Sequence, residues 1–279
     1  MRRTAALTIA VLVLAGCAST DPDDGRVQVV ASTDVYGSIA AAIGGDHVSV
    51  VSLVEGAARD PHSFEASARD RLALSKADLV IENGGGYDPF MEQLVDAVPR
   101  ETPMITATKV VGLADGANEH LWYDFDAMAL VATEIAAQLS GADQPHADDY
   151  SANLRTLLDG IEALEPGDIG AGRRVLVTEP VPLYLLERAG FENVTPEAFT
   201  EAIEEGGDVA PAVLRDTLEL VNEASLLAYN SQTASPETER LREAAWAAGI
   251  PVVEFTETLP AGETYLSWMR ANVAALVAL

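Results

Sequence analysis

The chain has 279 residues, and its 44 acidic side chains against 17 basic ones give a formal charge of −27. That balance excludes nucleic acid as a partner, because phosphate backbones are held by lysine and arginine. Cys17 is the single cysteine, so neither an intrachain disulfide nor a thiolate metal cluster can form. An apolar fraction of 48% supports ordinary cores, and the length suits one large domain or two lobes. The acidic residues are spread over predicted helix faces and loops, which reads as a solvated surface whose negative field concentrates cations.

The amino terminus reads as a targeting segment. Arg2 and Arg3 precede the apolar run Ala5 to Val13, which is too short to span a bilayer, and Leu14-Ala15-Gly16-Cys17 closes it. This resembles a bacterial lipobox, with residues 1–16 removed and Cys17 left to carry lipid; the plainer alternative is an ordinary secretory signal with an incidental cysteine. Cleavage there removes two positive charges and makes the mature chain still more acidic. Residues 17–26, small, acidic and turn-forming, read as a tether.

From Val27 onward, short β-branched runs alternate with alanine-rich amphipathic stretches, the pattern of mostly parallel sheets covered by helices. Strands are expected at Val27 to Ser32, His47 to Leu53, Asp78 to Glu82 and Met104 to Val111. Helices are expected at Tyr36 to Ile43, from Ser67 to about Lys76 with Ser67 and Asp70 as a capping box, and at Pro89 to Val98. Asn83-Gly84-Gly85-Gly86 has no Gly-Lys-Ser/Thr after it, and a tight strand-to-helix turn explains it better than a phosphate loop. Asp126 to Leu139 is helical. After a break at Gly141 to Pro145, Ala147 to Leu164 forms a second long helix with one apolar stripe, Leu154, Leu157, Leu158, Ile161 and Leu164.

The alternation then resumes, with strands at Arg174 to Thr178, Leu226 to Tyr229 and Val252 to Thr256. Helices are expected at Leu183 to Ala189, Pro211 to Glu223, Pro236 to Ala248 and Tyr265 to Val277. The expectation is an α/β fold of two βα lobes, residues 27–142 and 167–279, joined by a connecting helix within 143–166.

Three residues with metal-binding side chains fall just past predicted strands: His62 after the second, Glu179 after Val175-Leu176-Val177-Thr178, and Glu257 after Val252 to Thr256. His120 sits in a comparable loop. In open α/β sheets ligands collect at the carboxyl ends of strands. Pro61 holds His62 on a stiff, extended backbone. Two imidazoles and two carboxylates cancel the charge of a divalent cation and suit manganese, ferrous iron or zinc. Taken singly, His62 reads equally as a surface residue, Glu179 as an acid at a helix start and Glu257 as an exposed turn acid.

His47 and His146 read as exposed, and Trp122, Tyr123 and Phe64 as walls of the site. Asp124 either orients His120 or starts the next helix. Asn230 and Gln232, at a strand end, are placed to hydrogen-bond a ligand carboxylate.

Asp60-Pro61-His62-Ser63-Phe64-Glu65, Lys76 to Gly84, Asn118-Glu119-His120-Leu121-Trp122-Tyr123-Asp124, Val177-Thr178-Glu179 with Tyr184, and Thr256-Glu257-Thr258-Leu259-Pro260 before Thr264-Tyr265 occur in that order. Together they resemble the cluster A-I metal-binding lipoproteins that feed zinc and manganese ABC importers, over essentially the whole mature chain. The resemblance implies two lobes on a rigid backbone helix with the metal in the cleft between them, held by His62, His120, Glu179 and Glu257. It implies no catalysis, a monomer outside the cytoplasm anchored to the cell membrane through Cys17, and an importer permease with its ATPase as partners.

The chain departs from many zinc-specific members, which carry a third histidine where Glu179 stands and a histidine-rich loop between the first two ligands. A carboxylate there tilts the site toward Mn²⁺, with Zn²⁺ and Fe²⁺ as alternatives. At the fourth position Glu257 stands where aspartate is commoner. Rival functions are a metallohydrolase on the same residues, against which stands the lack of a His-Glu-x-x-His helix, and a surface adhesion module with structural metal.

Overall fold

A computed structural model describes residues 25–56, 61, 64–99 and 101–279. It contains two four-stranded sheets, each wholly parallel. In the amino-terminal lobe β1 (Val27–Thr33), β2 (Val48–Val54), β3 (Leu79–Glu82) and β4 (Met104–Thr106) are ordered β2-β1-β3-β4. In the carboxyl-terminal lobe β5 (Arg174–Val177), β6 (Glu192–Asn193), β7 (Leu226–Asn230) and β8 (Val252–Phe255) are ordered β6-β5-β7-β8, the same topology. Both sheets therefore reverse direction of winding beside their first strand, between β1 and β3 and between β5 and β7, where ligand crevices form.

The helices of the first lobe are α1 (Asp34–Gly44), α2 (Ala68–Leu74), α3 (Phe90–Leu94), α4 (Ala107–Val111) and α5 (Phe125–Ala142). A 3-10 turn at Gln144–His146 leads into α6 (Ala147–Glu162), followed by α7 (Leu183–Arg188), α8 (Glu197–Glu204), α9 (Pro211–Glu219), α10 (Pro236–Ala247) and α11 (Tyr265–Val277). No helix among the described residues is long and apolar enough to cross a membrane.

Strand alternation decides where each side chain goes. Val29 and Ala31 of β1, Leu79 and Ile81 of β3, and Val175 and Val177 of β5 share one core that runs through both lobes. Their neighbours face the opposite way into private cores: Val30 and Val80 against α2 and α3, and Leu176 and Leu227 against Phe199 and Ile203 of α8 and Leu241 of α10. Each sheet is buried on both faces, as parallel sheets require. Complete burial of one such aliphatic side chain contributes about 1.5–3 kcal/mol.

The long helix α6 buries Tyr150, Leu157 and Ile161, with Leu164 just beyond it, in the shared core beside α1, α5 and α11. At Gly160 a Cβ would stand 2.5 Å from Leu266 Cδ1, so the missing side chain is what allows α11 to lie against α6. Further stitches join the lobes: Leu259 N donates to Asp34 Oδ1 (3.0 Å), Tyr265 N to Ser38 Oγ (3.0 Å), Tyr265 Oη to the Trp122 carbonyl (2.9 Å) and Tyr123 Oη to the Thr256 carbonyl (2.8 Å).

Three expectations need correction. The run from Met104 to Val111 is strand only through Thr106. It then turns helical, with Gly112 closing the turn in the left-handed region, and Val110 and Val111 still pack against the shared core. Helix α5 continues past Gly141 to Ala142, so the break falls at Asp143 and the 3-10 turn. Strand β6 and helix α8 were not expected; β6 has only two residues, and α8 carries few apolar ones. The capping box of Ser67 and Asp70 is present as expected.

The triple glycine is a tight turn. Gly84, Gly85 and Gly86 all have φ between 72° and 106°, and a Cβ on Gly84 would lie 2.5 Å from Thr106 Cγ2. Asp88 holds the turn by accepting from Asn83 N (2.7 Å) and Gly84 N (2.8 Å).

Candidate metal centre

Glu179 lies two residues past β5, Asn230 ends β7, and Glu257 lies two residues past β8, so all three stand at the carboxyl edge of one sheet. Thr178 Oγ1 accepts from Asn230 N (2.8 Å) and fixes the start of the loop. The Asn230 side-chain amide then donates to Glu179 Oε2 (2.5 Å) and Glu257 Oε1 (2.8 Å), clamping both carboxylates on one nitrogen. The Thr233 hydroxyl also donates to Glu179 Oε2. Gln232 supports the loop through its side chain: Oε1 accepts from Glu257 N (2.5 Å), and Nε2 donates to Thr258 Oγ1 (3.0 Å).

Both acids are buried, Glu179 at 3% exposure and Glu257 at 1%, so neither is an exposed turn acid. Burial pushes the Glu179 carboxyl up to about 8; the Thr233 and Asn230 bonds oppose the rise, and the charges of Glu257 and Glu204 add to it. Two buried carboxylates this close are costly without a counter-charge. A divalent cation supplies one.

His120 comes from the first lobe and is 1% exposed. Its Nδ1 lies 2.6 Å from Asn118 Oδ1, which also accepts from His120 N (3.1 Å). The Asn118 amide nitrogen donates to the Pro180 carbonyl (2.9 Å), so its oxygen must face the imidazole. An amide oxygen only accepts; the ring proton therefore sits on Nδ1, and Nε2 is the donor offered to a cation. Tyr87 and Trp122 pack edge-on against the ring at 5.8 and 5.2 Å between centroids.

His62 lies outside the described residues, as does Cys17. Of the two roles open to Asp124, the structure gives the helix start: its Oδ1 accepts from Asp126 N and Ala127 N and caps α5. Orientation of His120 falls to Asn118, a residue two positions away that the sequence does not distinguish from any loop asparagine. Trp122 packs on His120, Tyr123 packs on Phe255 and Trp268, and Phe64 packs edge-on against Phe90 in a private core.

His47 and His146 are partly exposed and stack on each other at 3.8 Å, bonded to Asp149 and Asp143 respectively. Among the described residues, donor atoms lying within 4.8 Å of one another belong to Glu119, His120 and Glu204. Neither glutamate was expected. A signal for α8 was present in Pro196, the i, i+4 pair Phe199 and Ile203, and the closing Gly206-Gly207.

Residues 29–279 match the profile of the family described as "ZnuA: Zinc-uptake complex component A periplasmic". The chain belongs to that family. Among curated relatives, the "Manganese-binding lipoprotein MntA" of Bacillus subtilis (strain 168) is 30% identical, over 62% of each chain and so less than two thirds of that relative's length. The "Manganese ABC transporter substrate-binding lipoprotein PsaA" of Streptococcus mitis is 25% identical over 96% of this chain and 94% of that one. Among solved structures, the periplasmic zinc binding protein TroA from Treponema pallidum superposes with a TM-score of 0.77 at 17% identity, covering 91% of this chain and 99% of the other. That likeness extends the family assignment to the fold: two parallel-sheet lobes and a long helix.

Proposed function

We propose that this family member captures a divalent transition metal outside the cytoplasm and delivers it to an ABC importer, with His62, His120, Glu179 and Glu257 as the ligands. The observation that carries the reading is the Asn230 clamp, which holds two buried carboxylates at one sheet edge while Asn118 directs the His120 Nε2 from the other lobe. The cation is cargo. A full set of four protein donors leaves no position for an activated water, so the site binds and does not hydrolyse.

Manganese is the favoured cargo, because the donor set is hard: it holds two carboxylates and no thiolate, with glutamate where many zinc-specific members carry a third imidazole. Cys17 is the proposed lipid anchor, a monomer the proposed state, and an importer permease with its ATPase the proposed partners. Residues 143–166 are the proposed connection between lobes 27–142 and 167–279.

Calorimetric titration of the full chain with Mn²⁺ and Zn²⁺ tests the assignment. One cation should bind per chain, and His62→Ala and His120→Ala should each weaken binding by more than about 100-fold, beyond the loss typical of an outer-sphere partner. Unchanged affinity in both variants would exclude the site.

A further inference from the structure

The proposed ligand set leaves two carboxylates beside His120 without a role. Glu204 ends α8, and its Oε1 lies 3.9 Å from His120 Nε2. Glu119 precedes His120 in the chain, with its backbone carbonyl held by Asn83 Nδ2 (3.1 Å) and Leu121 N (2.7 Å). One donor atom from each of Glu119, His120 and Glu204 falls within 4.8 Å of the other two. Metal–oxygen and metal–nitrogen bonds of about 2.1 Å on either side of an ion span a gap like the one between His120 and Glu204.

Charge and access agree with that spacing. The two carboxylates neutralise a divalent cation, and the imidazole supplies a borderline nitrogen donor. His120 is 1% exposed whereas the Glu204 side chain is 23% exposed, so the trio runs from solvent to the buried ring. It opens onto a cavity of about 360 Å³ whose wall includes Asn118, Glu119, Glu197, Glu201 and Glu204, from both lobes. Glu204 is also close enough to Glu179 for its charge to act on that carboxyl.

Building on the cleft reading above, we propose that Glu119, His120 and Glu204 form a staging position for the divalent cation, sharing His120 Nε2 with the final site. A cation arriving through the acidic cavity exchanges water for Glu204 and Glu119 while bound to His120. It then exchanges those carboxylates for Glu179 and Glu257 without leaving the imidazole. Release runs through the same steps in reverse. Because Glu119 and Glu204 lie on the path and outside the final ligand set, they speed capture and release together.

Stopped-flow association and dissociation of Mn²⁺ with the full chain test this. Glu204→Gln keeps size and hydrogen-bonding capacity at a partly exposed helix end, so the fold is retained. Both rate constants should fall, association by on the order of tenfold, with equilibrium affinity nearly unchanged. Glu201→Gln removes the same charge from the same cavity wall and should slow association much less. In a Glu179→Gln/Glu257→Gln background a weak single site should remain and should vanish when Glu204→Gln is added.

Unchanged rates in Glu204→Gln, or equal slowing by Glu201→Gln, would overturn the staging role. So would a loss of affinity carried by faster dissociation alone, which would place Glu204 in the final site. The cleft reading fails differently: wild-type equilibrium affinity in the Glu179→Gln/Glu257→Gln protein sinks that assignment, whatever the rates in Glu204→Gln show.

Discussion

The two lobes share a strand order, yet they prepare their contributions to the centre in different ways. In the carboxyl-terminal lobe the proposed donors lie two residues past their strands and are braced by neighbours from the same sheet edge: Thr178 fixes Asn230, Asn230 grips Glu179 and Glu257, and Gln232 holds the Glu257 backbone. In the amino-terminal lobe His120 stands in a loop, and its ring is set by Asn118, whose other end is tied across to Pro180. The difference teaches that matching topology fixes where a site forms, while the polar partners decide which half is preformed. One half is self-supporting; the other takes its alignment partly from its neighbour.

Removing the brace tests this most sharply. Asn230→Ala strips a hydrogen bond from both carboxylates at once, and Mn²⁺ affinity should fall by about 10–100-fold, the loss typical of an outer-sphere partner. A calorimetric affinity equal to that of the parent chain would show that the acids are held by packing alone. Next in size, Glu179→His exchanges a hard donor for an imidazole and should lower the Mn²⁺-to-Zn²⁺ affinity ratio by about tenfold. Competition titrations that leave the ratio unmoved would remove Glu179 from the ligand set.

The smallest effect concerns protons. Burial raises the carboxyls of Asp34, Glu82 and Asp88 as well as Glu179, which reaches about 8. Folded values above unfolded values near 4 contribute stability that is fully present below about pH 4 and is lost as pH rises, in the case of Glu179 through about 8. The metal-free chain should therefore melt a few degrees lower at pH 8.5 than at pH 5.5. Repulsion within a chain of charge −27 acts in the same direction. A melting temperature that climbs over that interval would mean the acids are not buried as charged-state liabilities.

Much of the fold was legible because parallel strands buried on both faces leave β-branched runs, and because Ser67-x-x-Asp70 and Pro211 mark helix starts by local chemistry alone. Strand β4 misled for a related reason: Val110 and Val111 carry strand propensity but are placed by packing, and a backbone bond from Thr108 N to Asn83 O starts α4 instead. Positions just past strand ends singled out Glu179 and Glu257 as candidates, because that rule depends only on topology. Glu204 was not legible from it. It reaches His120 through the packing of α8, a short helix seated by Phe199 and Ile203; the signals that mark the helix do not tell which residue it carries to the imidazole. Asn118 was hidden more deeply, since its importance lies in which end of a symmetric-looking amide faces the ring.

That amide has one further consequence. Its oxygen faces the imidazole while its nitrogen is committed to the opposite lobe, so the tilt of His120 is a gauge of how closely the halves are apposed. A parting of the lobes that pulled Pro180 away from Asn118 would loosen the amide that sets the imidazole, while the Asn230 grip on the two carboxylates lies wholly within one lobe.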